Sequence, residues 1–144
     1  MSGILQCEGV FQVPLADGWS VHGQPGRSYD ISHSALDLGV NISVYPRGAA
    51  GDDIEAAVLK FAHSVGADPD QMSVVRVPAK DHARAFVRFD VDGRTWLAAF
   101  AYFERAAVLI TSNSPVGDEV AFRAGETAVA SLGPIEKRRR FGRK

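Results

Sequence analysis

From Ala85 to Tyr102 the chain alternates between apolar and polar positions on either side of one Asp92-Gly93 pair. Asp-Gly between alternating apolar residues is a strong signal for a hairpin with a two-residue turn. Such a turn pairs Val91 with Arg94, Phe89 with Trp96, Val87 with Ala98 and Ala85 with Phe100. One face then collects Val87, Phe89, Val91, Trp96, Phe100 and Tyr102, and the other Arg84, Phe86, Arg88, Asp90, Thr95 and Leu97. A slip of one residue would exchange these faces, so the register is strongly specified. The first face is the expected core. The second is amphipathic, because Phe86 and Leu97 sit among charges and need partial cover. A third apolar run, Ala106 to Thr111, extends the hairpin into a meander.

The other elements follow from the same periodicities. Phe11, Val13 and Leu15 alternate as a strand that closes at Ala16-Asp17-Gly18, and Trp19 to His22 continues after the turn. Gly23 to Gly26 reads as a loop, and Ser28 to His33 as a weaker strand. Val40, Ile42 and Val44 point one way and Asn41, Ser43 and Tyr45 the other, until Pro46 ends the strand. Ile54, Ala57, Val58, Phe61 and Val65 form one helical stripe over Asp52 to Val65. Asp52 with Glu55 resembles a capping box, and Gly66 supplies a left-handed C-terminal residue. Met72 to Val77 is a short strand before Pro78. Val116 to Leu132 is a second helix. Phe122, Gly125, Val129 and Leu132 make its stripe, Ala121, Ala124 and Ala128 widen it, and Asp118 caps it. Those small residues permit close approach to a sheet.

Strands joined by tight turns are antiparallel. The expected class is therefore α+β: an antiparallel sheet carrying two main helices. The 144 residues suit one domain over 1–133, followed by a basic, flexible tail over 134–144. That tail changes the reading of the near-neutral net charge of −1. Six of 16 basic residues fall in the last eight positions, whereas only Glu136 of the 17 acidic residues lies beyond Leu132. The body is thus net acidic, which disfavours a nucleic-acid surface. The tail lacks the aromatic interleaving of a single-strand binder.

Candidate chemistry is sparse. The single Cys7 excludes an internal disulfide and has no basic neighbour in sequence to activate it, so it reads as inert near a frayed terminus. His22, His33, His63 and His82 fall in no metal-binding frame, and solvated or structural roles are expected for them. Asp52-Asp53 reads as a helix cap rather than a metal pair. No Gly-x-Ser-x-Gly elbow, Walker loop or dinucleotide fingerprint occurs. The expectation is no enzyme activity, no catalytic residue, no metal and no cofactor. No apolar run approaches the ~20 residues that span a bilayer, and no signal peptide is read, so a cytoplasmic location is expected.

The order of motifs carries a resemblance. Phe11-Gln-Val-Pro14 followed by Asp17-Gly18-Trp19 resembles the opening of PsbP-like proteins, also called the Mog/DcrB group. Asn41 to Arg47, the helix at Asp52, Asp92-Gly93-Arg94, Leu109-Ile-Thr111 and Phe122 with Ser131-Leu132 match its later elements. The resemblance spans about residues 9–132. It implies an α/β/α sandwich and a role in binding other proteins. The group includes extrinsic photosystem subunits, a Ran-binding factor, bacterial lipoproteins and signal-free cytoplasmic chaperones of type VI secretion effectors. Those chaperones shield apolar transmembrane segments.

The residues and the resemblance together give the functional expectation. The chain is expected to be an adaptor or chaperone whose sheet surface binds an apolar segment of a partner protein, a secreted effector being one such partner. Arg84, Phe86, Arg88 and Leu97 are the expected partner-binding residues, with the two arginines rimming an apolar groove. Cover of Phe86 and Leu97 by a helix is the competing expectation. The alternative function is an assembly component that forms a homodimer through a sheet edge or face.

Overall fold

The computed structural model describes residues 3–7, 11–15, 18–24, 27–46, 53–68, 73–78, 83–103 and 106–131. Among these residues nine strands and two helices follow in the order β1 (Gly3–Cys7), β2 (Phe11–Leu15), β3 (Trp19–Gln24), β4 (Ser28–His33), β5 (Gly39–Pro46), α1 (Ile54–Ser64), β6 (Ser73–Pro78), β7 (Ala83–Val91), β8 (Arg94–Tyr102), β9 (Ala106–Pro115) and α2 (Glu119–Ala130). Strands β1 and β2 form a two-stranded ribbon. The others form one sheet in the order β3-β4-β5-β9-β8-β7-β6, with every neighbouring pair antiparallel. The expected α+β class is the observed one.

The hairpin has the expected register, from Val91 opposite Arg94 to Ala85 opposite Phe100. Its turn has positive φ at both Asp92 (52°) and Gly93 (79°), the requirement that favours Asp-Gly there. Helix α1 packs on β7, β8 and β6, and α2 packs on β9, β8 and β5 across the opposite face. Each helix owns a core. Under α1, Ile54, Val58 and Ala62 meet Val87, Phe89, Ala98 and Phe100. Under α2, Phe122, Ala128 and Val129 meet Ile31, Ile42, Leu97 and Ile110. Strands β8 and β9 are covered on both sides, so burial there is almost continuous rather than alternating.

The N-termini of both helices are capped by side chains. Asp53, not Asp52, is the N-cap of α1, and its Oδ1 accepts from the backbone N–H groups of Glu55 and Ala56, each at 3.1 Å. The capping-box spacing selects Asp52, but a cap one residue later satisfies the second and third helical donors. At the other end the Gly66 N–H donates to the His63 carbonyl and the Ala67 N–H to the Ala62 carbonyl, each at 3.0 Å. This is a Schellman closure, with Gly66 at φ +95°. Asp118 caps α2 as expected, its Oδ1 accepting from the Ala121 N–H at 3.1 Å.

Several bounds differ from the expectations. The N-terminal segment containing Cys7 is strand β1, paired with β2. Gly23 belongs to β3 rather than to a loop, and β9 runs on to Pro115 instead of stopping at Thr111. The second helix is shorter at both ends than Val116 to Leu132. Leu132, the Gly133-Pro134 stop and the basic tail lie outside the described residues, as do Asp52 and His82.

Candidate functional site

The four residues expected to bind a partner do share one face of the hairpin, and that face lies beneath α2. Leu97 is buried and Phe86 is partly buried against the α2-side core. The Arg88 guanidinium stands 4.2 Å from the centre of the Phe122 ring on α2, within cation–π range. Arg84 lies 5.7 Å from the Phe86 ring centre, and its Nη1 donates to the Ala130 carbonyl at 3.2 Å. That contact places a cation at the negative end of α2, where it is favourable. Arg84, Phe86, Arg88 and Leu97 thus hold the chain's own second helix. Helix cover is therefore the observed arrangement at Leu97 and, in part, at Phe86, while Arg88 stays exposed.

A second polar node sits near the hairpin turn. Arg94 donates from Nε to Asn113 Oδ1 at 2.9 Å, from Nη2 to the Asn113 carbonyl at 3.1 Å and from Nη1 to Asp37 Oδ1 at 3.0 Å. It ties β8 to β9 and to the segment before β5. His33 is likewise structural: its ring makes an edge contact with Trp19 at 5.0 Å, and its Nδ1 accepts from the Ala35 N–H at 3.1 Å. His22 and His63 are exposed. Among the described residues no group of three or more His, Cys, Asp or Glu could hold a metal, and no helix is long and apolar enough to cross a membrane.

The α1 face offers a different surface. Helix α1 packs on β6 to β8, and one of its flanks borders a cleft that reaches Tyr45 of β5 and Leu109 of β9. Residues Ala57, Lys60, Phe61 and Ser64 recur at helical spacing along that flank. With Tyr45, Phe100 and Leu109 they line an open cleft of about 330 Å³. Tyr45 lies on the outward side of β5 at 39% exposure, its ring 6.0 Å from Phe100. Phe61 is braced from behind by Trp96 at 6.0 Å, and Trp96 stacks on Phe89 at 6.2 Å. The floor and one wall are therefore aromatic and supported by core packing.

The polar groups of this cleft are few. Lys60 is exposed, and the Ser64 hydroxyl donates to its own helix at the Phe61 carbonyl, 2.6 Å away. Neither lining hydroxyl faces a histidine or carboxylate within the lining, so the set contains no activated nucleophile. Its volume is near the lower end of ligand pockets, ~300–1,000 Å³. Such a cleft suits an apolar side chain or two better than a large cofactor. The sequence did carry a signal for it: Ala57 and Phe61 widen the α1 stripe beyond Ile54, Val58 and Ala62, which alone are buried within the helix.

No protein-family model matches the chain, and no curated protein matches it in sequence. Solved structures do. One is the crystal structure of a protein from Bacteroides thetaiotaomicron VPI-5482, with a TM-score of 0.53 and 15% identity. The alignment covers 94% of this chain and 48% of that one, so the chain spans about half the length of its structural neighbour. At this identity the likeness concerns the fold alone.

Proposed function

We propose that the chain is a non-enzymatic protein-binding domain, an adaptor or chaperone, that receives an apolar segment of a partner protein in the α1-side cleft. The observation that carries this reading is the half-covered face itself. Phe61, Phe100 and Leu109 form an apolar floor beside the outward-facing Tyr45, while the opposite face is closed by α2. An amphipathic helix or strand laid beside α1 would continue that layer and insert its anchors between Tyr45 and Phe61. Each anchor buried there contributes ~1.5–3 kcal/mol before the cost of association. Lys60 at the rim favours a partner with an acidic residue next to its anchor.

The resemblance of the sequence to PsbP-like proteins, whose members act through protein contacts, supports the same reading. Within that group the effector chaperones offer the nearest functional analogy, because their clients are apolar segments. Function resides in sites rather than in folds, so the test addresses the cleft directly. Tyr45→Asp and Ala57→Asp place a charge in the cleft at residues that are exposed and half-buried. Both variants should fold with wild-type thermal transitions and lose the partner that co-purifies with the wild-type chain. Retention of that partner by both folded variants would refute the assignment.

A further inference from the structure

The outer flank of α2 combines two features that a solvated helix face does not need. Val120 is 69% exposed and Val116 52%, the two most exposed large apolar side chains among the described residues. They stand around the first turn of the helix. Acidic groups share the flank, with Glu119 and Glu126 both exposed and Asp118 at the N-cap. Arg123 is the single base of α2, and it faces Glu119 at 3.8 Å. Glu126 has no ion pair among the described residues. The flank is therefore net acidic, with an apolar spot at its N-terminal end.

We propose that the basic tail of the same molecule folds back along this flank, its cations toward Glu126, Glu119 and Asp118 and Phe141 over Val116 and Val120. The composition of the tail matches on both counts: six of its last eight residues are Lys or Arg, and Phe141 lies among them. Its length and starting point match as well. The tail begins where α2 ends, and Gly133-Pro134 is a dipeptide that reverses a chain. From Pro134 an extended chain reaches up to ~23 Å by Phe141 at ~3.3 Å per residue, while Val120 stands only ~16 Å back along α2 from Ser131 at ~1.5 Å per residue. Lys137 to Arg140 pass Glu126 and Glu119 on that path. The acidic body offers other carboxylates, so charge alone does not choose the flank. The exposed valines and the short tether do. Exposed ion pairs are weak one by one. The tether, however, holds the tail at an effective concentration on the order of millimolar, so a contact of only millimolar intrinsic affinity is populated. The flank lies on the α2 side and is independent of what the α1-side cleft binds.

A nitroxide on Lys144→Cys, in a full chain that also carries Cys7→Ser, reads the contact by nuclear magnetic resonance. The label should broaden the amide signals of residues 116–126 more than those of any other segment. Raising salt from about 0.02 to 0.5 M shortens the screening length from roughly 20 to roughly 4 Å, and the broadening should fade with it. Glu119→Lys combined with Glu126→Lys, at two exposed positions, should weaken it at low salt. Labelled chains mixed with isotope-enriched, unlabelled chains should leave the enriched chains unbroadened. Unmodified wild-type chain gives a second reading that needs no cysteine substitution: the same amide signals should shift over that salt range, and should stay still in the double variant. Broadening that is uniform or centred elsewhere would overturn the proposal, as would its persistence in the double variant. Broadening in the mixed sample would place the tail on a second copy instead, and wild-type signals at 116–126 that ignore salt would likewise refute the contact.

Discussion

Gly125 on α2 gives a sharp test of how closely the second helix lies on the sheet. A Cβ built at this position would stand 2.8 Å from both Cβ and Oγ of Ser112 and 3.0 Å from Leu38 Cδ1. Ser112 is 2% exposed and belongs to the central strand β9, paired on both sides, so it has no room to retreat. Gly125→Ala sets two effects against each other. Helix propensity favours alanine by ~1 kcal/mol in a helix interior. Overpacking of a closed interface costs ~1–3 kcal/mol. The steric effect should win, with a net loss of about 1 kcal/mol and, for a chain of this size, a fall in Tm of roughly 2–6 °C. Gly125→Val should cost more. Urea and thermal unfolding followed by circular dichroism give both values. Ser112→Gly combined with Gly125→Ala should recover part of the loss, a coupling that a double-mutant cycle resolves. If Gly125→Ala instead raises stability by the propensity gain, α2 does not lie this close to β9.

The capping assignment predicts that Asp53→Ala costs about 1 kcal/mol in urea unfolding while Asp52→Ala costs less than half of that; the reverse order would restore Asp52 as the cap. Arg94→Ala should cost about 1–2 kcal/mol, because it strands the Asn113 acceptors. Asp37→Ala should cost under ~0.5 kcal/mol, since Asp37 is 67% exposed and its ion pair is screened; equal losses would contradict this division. Ile110→Ala, at a fully buried position under α2, should lose ~2–5 kcal/mol, and a loss below 1 would mean that the α2-side core is not closed.

Much of this architecture was legible because it is written locally. The Asp92-Gly93 turn set the register of β7 and β8, and with it the sorting of Phe89 and Trp96 from Phe86 and Leu97. The cap at Asp118 and the closure at Gly66 follow from single residues at helix ends, whereas the capping-box spacing pointed to Asp52, one position before the Asp53 cap that α1 uses. What covered Phe86 and Leu97 was not local. It depended on where a helix some twenty residues downstream of Leu97 would land, and periodicity does not encode that. One clue was present: Leu97 to Phe103 contains no polar residue, the pattern of a strand covered on both faces. The polar end of β9 was harder to read. Thr111, Ser112 and Ser114 resemble a turn in sequence, yet all three are buried in β9, where Thr111 and Ser112 have neighbours on both sides and Ser114 pairs with Thr95. Strand β1 went unseen because its partner β2, rather than a strong pattern of its own, defines it. The cleft arose from the same non-local geometry. Tyr45 is outward-facing by alternation, but its meeting with Phe61 depends on how α1 crosses the sheet.

Tyr45 is also the position from which the functional proposal is most directly measured. A photo-crosslinking residue placed there, with another at the exposed Val120 of α2 as a reference, can be activated in cells that express the native partners. Mass spectrometry of the adduct then identifies the captured segment. The expected result is a discrete adduct from position 45 to an apolar stretch of a different protein, weakened by Ala57→Asp and missing from position 120. An adduct from position 120 with none from position 45, or capture at position 45 of polar segments alone, would contradict the proposal that this cleft is where the protein works.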